Sequence, residues 1–426
     1  MNKIYIVLIA LFFISCSQQE PQAVDNTKKA FEDEDTYIMF GLRSEQLHDN
    51  ARASDIFMTL FVKSNKKEYL YRSLENDLVA KNYEKVIDRV DKLQVEPLED
   101  PFLTRLKVVS LFELGALNSA IELSVQLAAK TKLPDDYLLT SDIYVKRQEY
   151  DLAVKYLESA YAKEHNEKIL DKLSIVLYVN QNRKKEAIAH LETHSRVFGC
   201  SKLVCNRLIA FYSNENDVEG LLSTYLRLYK VEKRPEVAKK IIQIYTYKRD
   251  YLNLQLFLEN SGEDDVQLLN LYASTKNYNK AYKLADKLYK ESSNPDYIGQ
   301  SAIFEYEGAK DKNDKELLKS VVSKLKLSIE GERKPIYLNY LGYLLIDHEV
   351  DVKEGMKYIK EVLKIRPDSA YYLDSLAWGY YKLGACKKAQ KVMNRVLKLE
   401  GSDEAEVQQH MKAIKQCRKT KKRGKK

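Results

Sequence analysis

Glycine and proline are scarce, with 14 and 8 residues in a chain of 426. Sandwiches, barrels and propellers turn at every strand end, and those turns draw on the open φ of glycine and the fixed φ of proline. So small a supply argues against such folds and leaves a helical fold as the expectation for a chain rich in Lys, Leu and Glu. Histidine (6), cysteine (5) and tryptophan (1) are also rare, which leaves little material for a metal centre or a His-based active site. Neither Gly-x-Gly-x-x-Gly nor Gly-x-x-x-x-Gly-Lys-Ser/Thr occurs, so nucleotide binding has no support. His190 and His194 are four apart with Glu192 between them, a spacing that can put two ligands on one helix face. A zinc protease needs His-Glu-x-x-His, however, and no third ligand lies nearby. No metal, cofactor or catalytic residue is therefore assigned, and an enzyme is not expected. What the chain does have is tyrosine, 31 residues, within a composition of 45% hydrophobic and 31% charged residues that suits a folded core.

The first residues read as an address. Lys3 supplies a positive start, and Ile4 to Ile14 form an unbroken apolar run of 11 residues. That run is short for a permanent span and right for a signal segment. It closes on Phe13-Ile14-Ser15-Cys16 and turns polar at Ser17. Apolar, apolar, small, Cys resembles the lipobox of bacterial lipoproteins, in which the cysteine is lipidated and the preceding peptide removed. The resemblance implies a signal peptide over 1–15, lipid on Cys16, and a flexible polar tether over 16–36. In the sorting known for that family an Asp after the lipidated Cys favours the inner membrane. Ser17 stands there, so the implied location is the outer membrane, facing the periplasm. The alternative is an ordinary signal peptide with a chance cysteine.

A repeat covers most of the rest. Small or apolar residues recur at Val86, Ala120, Ala153, Ala187, Gly220 and Leu254, at intervals of 34, 33, 34, 33 and 34. Ala281 follows after 27, Gly355 after a further 74, and Ala389 after 34 more, so one repeat near Leu254 is shortened or shifted and a weak one lies around Asp314 to Leu325. A period of 34 with paired helices resembles the tetratricopeptide (TPR) family. In the last repeat Leu376-Ala377, Tyr380, Gly384, Ala389, Met393 and Val396 fall on the family's motif positions. Leu341-Gly342, Gly355, Ile359 and Val362 do so before it, and Tyr137, Tyr144, Tyr150, Ala153, Leu157 and Ala160 in the third. The resemblance implies an all-α superhelical solenoid of about ten helix-turn-helix repeats over 70–400. Residues 37–69 fit a degenerate N-terminal hairpin, and 401–417 a capping helix. His194 falls on the packing position held by Ala160 and Val396, so a buried core histidine is the reading preferred over a ligand.

With Cys16 lipidated, Cys200, Cys205, Cys386 and Cys417 remain. An even count in an oxidising compartment invites two disulfides, 200 with 205 and 386 with 417; the alternative is unpaired thiols filling core sites. Residues 418–426 carry seven positive charges, and without them and Lys3 the chain is formally neutral. Anionic lipid or lipopolysaccharide is one expected contact for this tail, a solvated tail with no ligand is the other, and nucleic acid is not expected.

TPR proteins bind partner polypeptides on the concave face lined by the first helix of each repeat. In register, that face holds Lys146, Tyr212, Gln243, Tyr247, Asn270, Asn339, Tyr343, Asp374, Trp378, Tyr381 and Lys382. Aromatic residues supply anchoring area there and Asn can bond an extended backbone, with Trp378 and Tyr343 the preferred hot spot. The alternative is that both pack against the capping helix. The chain thus looks like a TPR lipoprotein adaptor that assembles or positions an envelope complex. The alternative is a regulatory or anchoring subunit for a periplasmic cell-wall enzyme or glycan.

Overall fold

The structure is a computed structural model that describes residues 29–93 and 98–423. Cys16, the signal segment and most of the tether lie outside the described residues, as does the end of the basic tail. Among the described residues there is no strand, and helices follow one another as antiparallel hairpins, first helix then second. The chain divides into two compact units, Met1–Val231 and Glu232–Lys426.

In the first unit the hairpins are α1 (Glu34–Gln46) with α2 (Asn50–Ser64), α3 (Lys67–Val79) with α4 (Tyr83–Lys92), α5 (Pro101–Glu113) with α6 (Leu117–Thr131), and α7 (Pro134–Lys146) with α8 (Tyr150–Glu164). Next come α9 (Glu167–Ile175), which runs on as a π-helical turn over Val176–Asn180, with α10 (Lys184–Phe198), and α11 (Lys202–Asn214) with α12 (Val218–Val231). In the second unit they are α13 (Pro235–Lys248) with α14 (Tyr251–Ser261), α15 (Asp265–Ser274) with α16 (Tyr278–Ser292), and α17 (Pro295–Gly308) with α18 (Lys315–Gly331). The series ends with α19 (Pro335–Asp347) and α20 (Val352–Ile365), α21 (Ala370–Lys382) and α22 (Cys386–Val396), and a final helix, α23 (Ala405–Arg423). The all-α repeat architecture is as the sequence implies, with ten hairpins from Lys67 to Val396, one more before them and a helix after them. The basic run that begins at Arg418 continues α23 as far as Arg423.

The irregular intervals have a local cause. α14 and α15 are only 11 and 10 residues long, which brings Ala281 early. The weak eighth repeat is α17 with α18, separated by the longer loop 309–314.

Five of the eight prolines sit at one kind of place. Pro101, Pro134, Pro235, Pro295 and Pro335 each open the first helix of a hairpin, where the missing N–H costs no hydrogen bond. Few glycines are needed because other residues take the left-handed turn between the paired helices. Lys81, Gln148, Asn182, Asn216, Arg249, Lys276 and Glu349 all do so at φ of 54–63°, with Gly115 and Gly384 in the same place. Each such non-glycine residue costs roughly 1–2 kcal/mol, which the packed hairpin offsets.

The hairpins close on small residues. Ala120, Ala153, Ala187, Ala281 and Ala389 are fully buried where the two helices touch. Closest of all are Gly342 on α19 and Gly355 on α20: a Cβ on Gly355 would lie 2.5 Å from the Gly342 carbonyl oxygen. Buried charges between neighbouring hairpins are paired. Arg105 of α5 grips Asp136 of α7 through Nε and Nη2 at 2.6 and 2.8 Å, and Lys85 and Arg89 of α4, which meet buried Asp77 within their own hairpin, also reach Asp55 of α2. Such pairs fix which rows of residues meet between hairpins, since an uncompensated buried carboxylate would be costly.

Candidate partner-binding face

Second-unit residues Gln243 and Tyr247 on α13 and Asn270 on α15 are exposed, Tyr247 at 78%. In the first unit Lys146, the last residue of α7, is exposed as well. Tyr212 is not part of an open face. Its ring fills the space that Gly220 leaves on the partner helix α12, where an added Cβ would come within 2.4 Å of it. Its hydroxyl donates to Glu192 at 2.8 Å, while Arg227 holds the same carboxylate through both guanidinium nitrogens at 2.7 Å. Burial, then the hydrogen bond to Glu192, pushes the Tyr212 hydroxyl well above its usual range, so it stays a donor.

The second correction concerns the expected hot spot. α23 packs on α21 and α22 as a cap and buries Val407, His410 and Ile414, an i, i+3, i+7 stripe, on that last hairpin. Trp378 stacks on the His410 ring at 4.0 Å and 17°, and Tyr381 stacks on Trp378 at 4.7 Å. The indole N–H donates to Asp347 at 2.8 Å. Lys382 sits 5.2 Å over the indole and donates to the Asp347 carbonyl and to Glu349. Asp374, 5% exposed, holds His410 Nδ1 at 2.8 Å, and the Tyr343 hydroxyl donates to Glu406. Trp378, Tyr381, Tyr343 and Asp374 are thus a seat for the chain's own last helix. A disulfide between Cys386, at the start of α22, and Cys417 ties the far end of α23 down. In the first unit a second disulfide joins Cys200 to Cys205 across the turn between α10 and α11.

Beneath the start of α23 the helices enclose a cavity of about 480 Å³, lined by tyrosines and carboxylates together with Asn339 and Lys312. Tyr340 donates to Glu307 at 2.6 Å, and Lys312 reaches the other oxygen of the same carboxylate at 2.8 Å. Burial works against the Glu307 charge, but those two donors prevail and hold its carboxyl below the usual range. Burial, then the carboxylate neighbours, raises the hydroxyls of Tyr340 and Tyr343 far above theirs, and Tyr306 is pushed up to about 12. Tyr306, Tyr340, Glu307, Glu404 and Glu406 escape a sequence reading of the face. Their one signal is the 34-residue spacing of Tyr306 and Tyr340.

His194 is buried, and its Nδ1 lies 2.7 Å from the Tyr161 hydroxyl. Elsewhere Glu158, Glu186 and His190 bring one donor atom each within 4.8 Å of one another, but Glu158 is exposed and the other two half-buried.

No protein-family model matches this chain, and no curated protein matches it either. Solved structures do. A chain of the Naa15/Naa10 complex bound to HypK-THB aligns at 12% identity and TM-score 0.35, over 83% of this chain and 66% of that one. The hetero-tetramer Cut9–Hcn1 of the APC/C aligns at 9% and 0.36 over 90% and 97%, and yeast Tom70 at 13% and 0.33 over 92% and 97%. At such values the alignments transfer no site and no partner to this chain.

Proposed function

We propose that the protein is a non-catalytic, membrane-anchored adaptor of the bacterial envelope, which holds protein partners on the first-helix face of its TPR-like hairpins. The observation that carries this reading is α23. Its apolar stripe packs on α21 and α22, while His410 stacks on Trp378 of α21 and Glu406 accepts from Tyr343 of α19, so the end of this face already takes side chains of one amphipathic helix. On α13 and α15 the same face offers Gln243, Tyr247 and Asn270 to solvent. Two disulfides favour an oxidising compartment, and the lipobox-like end at Cys16 supplies the anchor in this reading.

The test is photo-crosslinking in intact cells, with the probe at Gln243, Tyr247 or Asn270 and a control at Lys290, an exposed position on the second helix α16. A discrete protein adduct from the three face positions and none from Lys290 is expected. Equal capture from face and control, or none from the face, would refute the reading.

A further inference from the structure

Asn339 and Asp374 are the fifth residues of α19 and α21, so they occupy the same position on successive first helices. Both line the cavity under α23, and in both one side-chain oxygen, Oδ1, is buried and accepts no hydrogen bond among the described residues. Asp374 is nine-tenths buried and more, with only its Oδ2 engaged, by His410. Three hydroxyls of the same lining are committed elsewhere. Tyr340 gives its proton to Glu307, Tyr343 to Glu406, and Ser375 to the Tyr371 carbonyl at 3.0 Å.

The charge balance points the same way. Four carboxylates line the cavity, those of Glu307, Asp374, Glu404 and Glu406, against the single ammonium of Lys312. That ammonium already shows what the site accepts: it pairs with Glu307 and lies 4.7 Å over the Tyr306 ring. A buried acceptor left unmet is costly, and a ligand that brings several N–H donors and a positive charge suits a cavity whose lining holds two such oxygens and an excess of carboxylates.

We propose that this cavity receives the guanidinium or ammonium end of an Arg or Lys side chain carried by another polypeptide. Only the source of the cation, a polypeptide, rests on the adaptor reading; the preference for a cation stands on the cavity. The experiment is titration of the full chain with Nα-acetyl-arginine amide, Nα-acetyl-lysine amide and, as the neutral isostere, Nα-acetyl-citrulline amide. Heat and the emission of Trp378, the one Trp of the chain, are followed together. The arginine or lysine amide should bind saturably at about 1 mM or tighter, and the comparison of the two names the preferred head group. Citrulline amide should bind at least about tenfold more weakly, since it keeps the shape and loses the charge. Asn339→Leu and Asp374→Asn, with folding checked by circular dichroism, should each weaken the cation by about fivefold or more. Equal binding of citrulline amide, no saturable binding of either cation, or an unchanged affinity in a folded Asn339→Leu variant would overturn the proposal. The crosslinking positions lie on α13 and α15, so failure of the adaptor reading and failure of this one are separately visible.

Discussion

At the scale of single residues, the N-terminal hairpin turns on one carboxylate. Glu34, the first residue of α1 and only 3% exposed, receives the Lys66 ammonium at 2.6 Å, the Ala30 N–H at 2.7 Å and the Tyr69 hydroxyl at 2.8 Å. The Lys66 hydrogen bond is the main cause, and it outweighs burial to bring the Glu34 carboxyl down from 4.5 to about 2. The fold therefore prefers the ionised form. Its contribution is fully present above pH 4.5 and is lost as pH falls from there towards 2. Amide hydrogen exchange in α1 and α2, corrected for intrinsic rates, should speed up across that window in the wild type. In Glu34→Gln it should be faster at neutral pH and flat through the acid window. Identical acid profiles for the two proteins would show that this carboxylate does not hold the hairpin.

At the scale of elements, α23 is held by two different means, a packed stripe and a covalent tie. The stripe brings Val407, His410 and Ile414 onto α21 and α22, and among the described residues His410 alone engages the buried Asp374 side chain. The tie closes a loop of sequence separation 31, which by chain entropy stabilises the folded state by about 3–4 kcal/mol. A Cys386→Ser, Cys417→Ser variant should lose about that much against urea, and the loss should show locally. Trp378 stacks on His410 of α23, so its emission should shift at a lower denaturant concentration than in the wild type. Cys200→Ser with Cys205→Ser, in the first unit, should leave the Trp378 transition where it was. If both pairs moved it equally, the emission would be reporting global unfolding and not the docking of α23.

For the whole molecule, the repeat was legible because it is written in steric terms. A hairpin needs a small residue where its helices cross and a left-handed residue between them, and both recur near every 34th position, from Lys81 and Val86 to Gly384 and Ala389. The face was less legible. Tyr212 has the right spacing for an open position, yet Gly220 opposite it makes room for the ring, and only the pair of residues reveals that. The stripe of α23 marks the capping helix that the repeat pattern implies, and it packs on α21 and α22. That its first turn also reaches Tyr343 of α19 is a long-range contact, which no local pattern encodes. The proposed anchor is a different matter, because it depends on chemistry at one atom. A thiol at Cys16 can carry a thioether-linked diacylglycerol and a hydroxyl cannot, so Cys16→Ser should abolish labelling by a fatty-acid analogue. Two or more acyl chains hold a protein on a bilayer far more firmly than one, at about 0.8 kcal/mol per buried CH₂. The wild type should therefore sediment with membranes and resist high salt, while Cys16→Ser should move to the soluble fraction. A Cys16→Ser protein that stays on the membrane and resists salt would overturn the anchor, and one that stays until salt releases it would shift attention to charged contacts. The first to examine would be the basic run from Arg418 to Lys426, whose hold on anionic head groups, unlike a lipid anchor, falls away as salt is raised.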